Sequence, residues 1–323
     1  MSAVRCLAAI VAGALCIAAA PSAAQMYPSK PVRVIVPFVP GGATDIVARS
    51  VLARLPEHLG QQVIFDNRGG AGTIVGTEVA ARSAPDGYTL LMAVTAFAIN
   101  ASLHRKLPYD PARDFAPVSL LAKAPIVIVV HPSVPARNAR ELIALAKKTP
   151  GKLTFGSPGT GTANHLTGEL FKAAAGVDIL HVPYKGGTPG MTAVVGGDID
   201  MFMGIGAALT PYLSGGRLRV VGVSSAKRSP HMPDVPTLAE SGLPGFETTS
   251  FYSVVAPAGV PRPIIERLNA EVRKSAQSEE ARKRLEAEGA FIETTTPEAL
   301  GVFLQTEIAR WAKAVAISGA RPD

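Results

Sequence analysis

The chemistry this sequence offers sits in three glycine-rich junctions between a strand and a helix. The first is Pro37-Phe38-Val39-Pro40-Gly41-Gly42-Ala43-Thr44-Asp45, which closes a β-branched run and opens a helical one. Glycine lets backbone approach a bound molecule closely, and the first turn of a helix leaves its N–H groups without intrahelical partners. With the helix dipole, those donors suit a carboxylate or a phosphate. An ordinary βα turn capped by Thr44 or Asp45 would use the same residues, so the stretch alone leaves both readings open. The second junction, Gly156-Ser157-Pro158-Gly159-Thr160-Gly161-Thr162-Ala163-Asn164-His165, repeats the design. It lacks the Gly-Lys-Ser/Thr ending of a P-loop, and Asn164 stands where a dinucleotide fingerprint needs its third glycine. No Gly-x-Ser-x-Gly frames Ser157. His165, inside the helix, reads as a packing histidine. The third junction, His181-Val182-Pro183-Tyr184-Lys185-Gly186-Gly187, again ends a strand in a glycine turn. Lys185 could meet an anion there or simply be an exposed lysine.

No stretch assembles a reaction. The histidines at 58, 104, 131, 165, 181 and 231 show neither H-x-x-x-H nor H-E-x-x-H spacing, and the cysteines, Cys6 and Cys16, both lie near the N-terminus. Metal and thiol chemistry therefore have no support. No cofactor and no catalytic residue are expected. A secreted serine hydrolase using Ser157 and His165 is the alternative from another class, and ester turnover lost in Ser157→Ala would favour it. Glycine turns without a catalytic set favour binding over chemistry.

The elements that must position these junctions alternate along the chain. Val32–Phe38, Val63–Phe65 and Thr89–Val94 read as strands, and Ile126–Val130 is a fully apolar run suited to a strand buried on both faces. Asn138–Lys148 has helical spacing and stops at Pro150-Gly151. Strand Leu153–Gly156, helix Ala163–Ala175, strand Ile179–Val182, a helix near Met191–Val195 and strands Asp200–Met203 and Arg219–Ser224 follow. The tail is mostly helical over Ile264–Gln277, Glu279–Gly289 and Leu300–Ser318, with short strands at Ser253–Ala256 and Phe291–Glu293. This alternation predicts an α/β fold with mainly parallel sheets. A tail with so few strands is expected to return to the first unit. One lobe then comprises residues 25–124 and 228–323, a second comprises 125–227, and a hinged cleft lies between them.

With 323 residues, 47% of them hydrophobic, the chain can bury two cores without disulfides or metals. Its 31 glycines and 27 prolines fall short of low-complexity levels and read as ordered turns. Aromatics at 6% are too few for a base-stacking platform. The positive charge is dispersed: Arg282-Lys283-Arg284 stands beside Glu279, Glu280 and Glu286 as a solvated helix face. Nucleic acid is not an expected partner. Arg5, the apolar run Cys6–Ala20 and the small residues Ser22 and Ala24 describe a secretory signal over residues 1–24. Cleavage after Ala24 would remove both cysteines. No later segment approaches the ~20 apolar residues of a membrane span, so the protein is not expected to be membrane-embedded.

Taken together, the sequence resembles the Bug-type solute receptors of tripartite tricarboxylate transporters, from about Tyr27 to Trp311. The resemblance rests on Pro40-Gly41-Gly42 with Asp45 and Arg49, Asn67-Arg68 with Gly70-Ala71-Gly72, and Ala84-Pro85-Asp86-Gly87-Tyr88-Thr89-Leu90. It continues through Ser157, Gly159, Gly161 and His165, then His181–Gly186, Gly197 with Asp200, and Pro233-Asp234-Val235-Pro236-Thr237. It implies a two-lobe periplasmic-binding-protein fold of the Venus flytrap type (type II), with the ligand cleft between the lobes. It further implies a periplasmic, monomeric receptor that closes on a small organic carboxylate: a di- or tricarboxylate, an acidic amino acid or an aromatic acid. Such a receptor delivers its ligand to the membrane subunits of the transporter. One that signals to a membrane sensor would share all these residues.

The binding site implied by the resemblance comprises Phe38, Gly41, Gly42, Ala43, Thr44 and Asp45, with Thr95 and Ala96. From the other side it takes Ser157, Gly159, Gly161, Thr162 and His165, with Tyr184, Gly186, Asp200 and Phe251. Two positions depart from the family pattern: Phe251 stands where Trp is usual, and Ser253 where Gly is frequent. Both are expected near the cleft, where they would reshape the distal pocket.

Overall fold

In the computed structural model, which describes residues 27–322 except 207, 208, 214, 230, 231 and 288, strand β1 (Val32–Val36) runs between two parallel neighbours. These are β2 (Val63–Asn67) and β3 (Thr89–Val94). Val32, Val34, Ile35 and Val36 have no exposed surface, as befits a central parallel strand. The expected signal segment 1–24, with Cys6, Cys16 and Ala24, lies outside the described residues, as does His231. The connections of this first sheet are α1 (Ala43–Val51), α2 (Leu55–Leu59), α3 (Ile74–Ala81) and α4 (Thr95–Leu103).

The next strand, β4 (Phe115–Val130), belongs to both lobes. Its residues Phe115 to Pro125 pair antiparallel with β9 (Thr249–Pro257), and Ile126 to Val130 pair with β7 (Met201–Ile205) and β8 (Arg219–Val223). The change of partner between Pro125 and Ile126 marks the crossing from one lobe to the other. In the second lobe, α5 (Ala139–Lys148), β5 (Thr154–Ser157), α6 (Ala163–Ala175), β6 (Leu180–Pro183), α7 (Gly187–Gly196) and the short α8 (Thr210–Leu213) complete the layers. Here β5 pairs in parallel with both β6 and β7. The sheets are thus parallel only away from β4 and β9; around those two strands every pairing is antiparallel, because the chain crosses between lobes there rather than winding through a helix.

The second crossing comes later than residue 228. Val223 N donates to Pro236 O and Val223 O accepts from Leu238 N, so the stretch that follows β8 stays beside it and the chain reaches the first sheet only at Thr249. Fully buried Ser224 staples the two crossings. Its amide donates to Ile126 O at 2.8 Å, and its hydroxyl accepts from Ile126 N at 3.0 Å and donates to Thr248 O at 2.7 Å.

The tail adds α9 (Arg262–Ala276), α10 (Glu279–Ala287), β10 (Phe291–Ile292) and α11 (Pro297–Ser318). β10 pairs with Lys123 and Ala122 of β4, returning the tail to the first lobe. α11 packs against α4, β4 and α6 and so touches both lobes. Its Trp311 is buried, and the indole N–H donates to buried Glu307 at 2.9 Å. On α10, Lys283 pairs with Glu279 and Arg284 with Glu280 across one helical turn. Among the described residues, no helix is long and apolar enough to cross a membrane.

Candidate functional site

Four helices begin at one place. α1 follows β1, α4 follows β3, α6 follows β5 and α7 follows β6, and the crevice beyond the carboxyl ends of parallel strands is where open α/β sheets bind ligands. The starts of these helices line a single cavity: Gly42, Ala43 and Thr44 from α1, Thr95 and Ala96 from α4, Thr162, Ala163 and Asn164 from α6, and Gly187 from α7. Its empty space, counted out to the mouth, is about 600 Å³. Phe38, Val94, Met191, Phe202 and Ile205 supply apolar wall, and Ser250 adds a hydroxyl. No Asp, Glu, Lys or Arg lines it.

The positive character of this cavity is therefore built from backbone. The N-caps of α1, α4 and α7 are Gly42, Val94 and Gly186, and none of them makes a side-chain capping bond. First-turn amides have no partner within their own helix, and each helix start carries about half a positive charge. The amides of Ala43 and Thr44 from one lobe, and of Ala163 and Asn164 from the other, are the donors available to an anion. α6 is capped by Thr162, whose Oγ1 accepts from His165 N at 3.2 Å.

The loops before these helices are held rigid by different means. In the first, Asp45 Oδ2 accepts from Gly41 N at 3.0 Å, while Oδ1 accepts from Arg49 Nε at 2.9 Å and Asn67 Nδ2 at 3.0 Å. Asn67 Nδ2 also donates to Phe38 O at 3.0 Å. Burial alone would raise the Asp45 pKa, but the bonds from Arg49, Gly41 and Asn67 outweigh it and hold the carboxyl below its ordinary range. Asp45 thus shapes the loop and faces away from the cavity.

The second loop rests on rings and hydroxyls. Ser157 Oγ lies 2.8 Å from His181 Nε2 and accepts from Gly159 N at 3.2 Å. Thr162 Oγ1 donates to Gly159 O at 2.7 Å, and His165 Nδ1 accepts from Gly161 N at 3.3 Å. The His181 ring is sandwiched between Phe155, at 4.7 Å, and His165, at 4.3 Å. Burial, then the neighbouring His165 and Lys172, pushes the His181 pKa down to about 3, so the ring is neutral at physiological pH.

The expected site residues therefore divide. Phe38, Gly42, Ala43, Thr44, Thr95, Ala96 and Thr162 line the cavity. Gly159, Tyr184 and Gly186 line an adjoining outer cavity that shares Phe38 and Pro158 with the first. Gly41, Asp45, Ser157, Gly161 and His165 support the loops, and the amides of Gly41, Gly159 and Gly161 are already engaged within them. Ser157 has no exposed surface, so its hydroxyl cannot act as a nucleophile on a bound ester. Asp200 does not join the site. It accepts from Thr154 N at 2.8 Å and Thr154 Oγ1 at 2.9 Å, at the ends of β5 and β7 away from the cleft. Phe251 also points elsewhere: its ring packs edge-on against Phe303, and it serves the site through its amide, which donates to Thr95 Oγ1 at 2.8 Å. Alternation along β9 explains this, since Ser250 faces the cavity and Phe251 the other side. Ser253 is fully buried and donates to Ala93 O at 3.0 Å, stitching β9 to β3. The apolar wall, with Pro158 and Asn164, had no signature in the sequence beyond proximity to the glycine loops.

Across the cleft the lobes touch glycine-first. A Cβ on Gly72 would lie 2.3 Å from Thr160 O, one on Gly161 2.7 Å from Asn100 Oδ1, and one on Gly186 2.7 Å from Val39 Cγ2. At these positions the two lobes are in contact, and side chains there would push them apart.

Comparison with known proteins agrees with this geometry. A family model described as "Tripartite tricarboxylate transporter family receptor" matches residues 47–319. A Pseudomonas protein encoded in the tcbD-tcbE intergenic region is 39% identical over 290 residues, covering 90% of this chain and 86% of the relative. Protein BugT of Bordetella pertussis is 38% identical over 305 residues, covering 94% of each chain. Among solved structures, R. palustris Rpa4515 with adipate superimposes with a TM-score of 0.89 at 36% identity, covering 92% of this chain and all of that one. MatC from Rhodopseudomonas palustris with bound malate gives a TM-score of 0.85 at 32% identity, covering 90% of this chain and 100% of the other. The chain belongs to the tripartite tricarboxylate transporter receptor family, the Bug-type periplasmic solute-binding proteins, and is a receptor rather than an enzyme.

Proposed function

We propose that this protein binds a small organic carboxylate by lobe closure in the periplasm and delivers it to the membrane subunits of a tripartite tricarboxylate transporter. The observation that carries this function is the convergence of helix starts from both lobes on one cavity without a charged side chain. A carboxylate there accepts from the Ala43 and Thr44 amides on one side and the Ala163 and Asn164 amides on the other. Neither lobe alone offers both sets. Closure excludes water and strengthens each of these bonds in the lower local dielectric. The ligand drives closure only through its preference for the closed state, so an open form dominates without it. The adipate and malate held by the two R. palustris neighbours support an acid ligand. The basic, apolar and small-residue pattern of residues 1–24 supports export.

A thermal-shift screen of organic acids against their neutral amides tests this. An acid at 100 times its Kd adds about 2.7 kcal/mol of stability. The amides should add none, and a protein stabilised by no acid, or equally by acid and amide, would refute the proposal. Intact mass of the exported protein checks processing, with a start at Gln25 and no cysteine expected.

A further inference from the structure

The helix starts account for one carboxylate and leave the outer cavity without a role. That cavity encloses about 980 Å³ counted out to its mouth, and both lobes build it. Val39 and the turn at residues 69–73 come from the first lobe, and Gly159, Thr160 and residues 184–186 from the second. Phe38 and Pro158 line both cavities, which adjoin at these two residues.

The two cavities differ in charge. The inner one has no ionisable wall, whereas the outer one is lined by Lys185 and His104 and by no Asp or Glu. Lys185 is exposed and has no carboxylate within 4 Å among the described residues, unlike Lys30, Lys123 and Lys172, which pair with Asp86, Glu293 and Glu169. An ammonium at the edge of a cavity without counter-charge attracts an anion and repels a cation. Tyr184 lines the same cavity, and the two residues it shares with the inner cavity, Phe38 and Pro158, are apolar.

We propose that the outer cavity is a second subsite, which takes the remote carboxylate of an elongated diacid whose first carboxylate sits at the helix starts. This rests on the carboxylate function proposed above and adds to it a chain length and a second charge. The methylene chain crosses at Phe38 and Pro158, the first carboxylate meets neutral amides, and the second meets the Lys185 ammonium. Specificity for length then resides in the third junction, Tyr184 to Gly186, rather than in the two glycine loops.

Calorimetry of the full chain with adipate, suberate and hexanoate tests the assignment, because hexanoate has the chain but lacks the second carboxylate. In the wild type at least one of the diacids should bind more tightly than hexanoate. Lys185→Gln should weaken that diacid at least threefold and Lys185→Glu at least tenfold, while hexanoate changes less than twofold in either variant. Since Lys185 is exposed, both variants should keep the wild-type melting temperature. Equal losses for hexanoate and the diacids would overturn the proposal, since Lys185 would then act on closure or on the general field. No change for the diacids in either variant would overturn it as well. If the wild type binds none of the three acids the second subsite is overturned, an outcome read before any variant is made, whereas the carboxylate function fails only if no acid of the thermal-shift screen stabilises the protein.

Discussion

The two loops that meet over the inner cavity share an outline and are held by opposite chemistries. In the first lobe the support is ionic: Asp45 gathers Gly41, Arg49 and Asn67 around one carboxylate. In the second lobe it is neutral: Ser157 leans on His181, His181 on His165, and His165 on the Gly161 amide. Asp45 and His165 are equally buried, so the exposure of the partner explains the difference. The Arg49 side chain is 48% exposed, so one partner of the ion pair stays hydrated. Ser157 and His165 are buried, and a charge there would lose its hydration without recovering it. Loops of the same shape can thus be stiffened by charge at the rim or by stacked rings within, and the choice decides which solution conditions disturb each one.

The largest expected effect comes from filling the contact between lobes. Gly161 has φ +79° and a neighbour from the opposite lobe 2.7 Å from its missing Cβ, so Gly161→Val combines backbone strain with a clash. Calorimetry with the best acid from the screen should show more than a tenfold loss, about 1.4 kcal/mol. Gly41 has nearly the same backbone angle, φ +78°, but its nearest neighbour across the cleft is Thr188 Oγ1 at 3.9 Å. Gly41→Val should therefore cost less affinity, and equal losses would show that the two loops close alike.

Acid should separate the supports next. His181 titrates near pH 3 in the folded protein and near its ordinary 6.5 when unfolded, so its contribution is complete above pH 6.5 and is lost as pH falls toward 3. The slope is at most about 1.4 kcal/mol per pH unit. Asp45, lowered from 3.8, keeps its contribution above that value and loses it only as pH falls further. Between pH 6.5 and 4 the loss of thermal stability should thus come largely from the second loop, and His181→Asn should flatten it. An unchanged slope in that variant would place the sensitivity elsewhere.

Salt offers a smaller contrast. Asp45→Asn should lower stability by about 1 kcal/mol at low ionic strength and by less at high, since Arg49 is half exposed. Ser157→Ala should cost a similar amount at every salt concentration, because its partners, the Gly159 backbone and the neutral His181 ring, carry no net charge. The smallest signal is the closure itself. Small-angle scattering should show a lower radius of gyration for the wild type with ligand, and none of that change for Gly161→Val.

The glycine loops could be found from sequence because their function needs special residue types at a strand end. What surrounds them could not. Residues Thr95 to Asn100 at the start of α4 are buried on every face, so the helix has no polar stripe and no 3.6-residue period to reveal it. The first half of β4 hides behind Pro117 and Pro125, residues that argue against a strand, and its register against β9 shifts at Pro117/Ser119 and Leu120/Ala122. Met191, Phe202 and Ile205 reach the cavity from the second lobe and look like any core residue in the sequence. Sequence also cannot tell a residue that touches a ligand from one that holds the loop that does. Asp45, Ser157 and His165 have the composition of a site and the bonds of a scaffold.

The strand shared between the lobes also sets an order of assembly. Its second half finds β7 and β8 within the contiguous stretch that follows it, and that lobe can form once residue 248 has been made. Its first half must wait for β9, which arrives only after the entire second lobe. Pairings so distant in sequence form slowly, since a long loop must close before they are rewarded. During that interval β3 and the first half of β4 lack the strand that will lie between them, and each presents an open, apolar edge. The tail of the chain is therefore what completes the first lobe, and a protein shortened before Thr249 should be left with an intact second lobe and an aggregation-prone first.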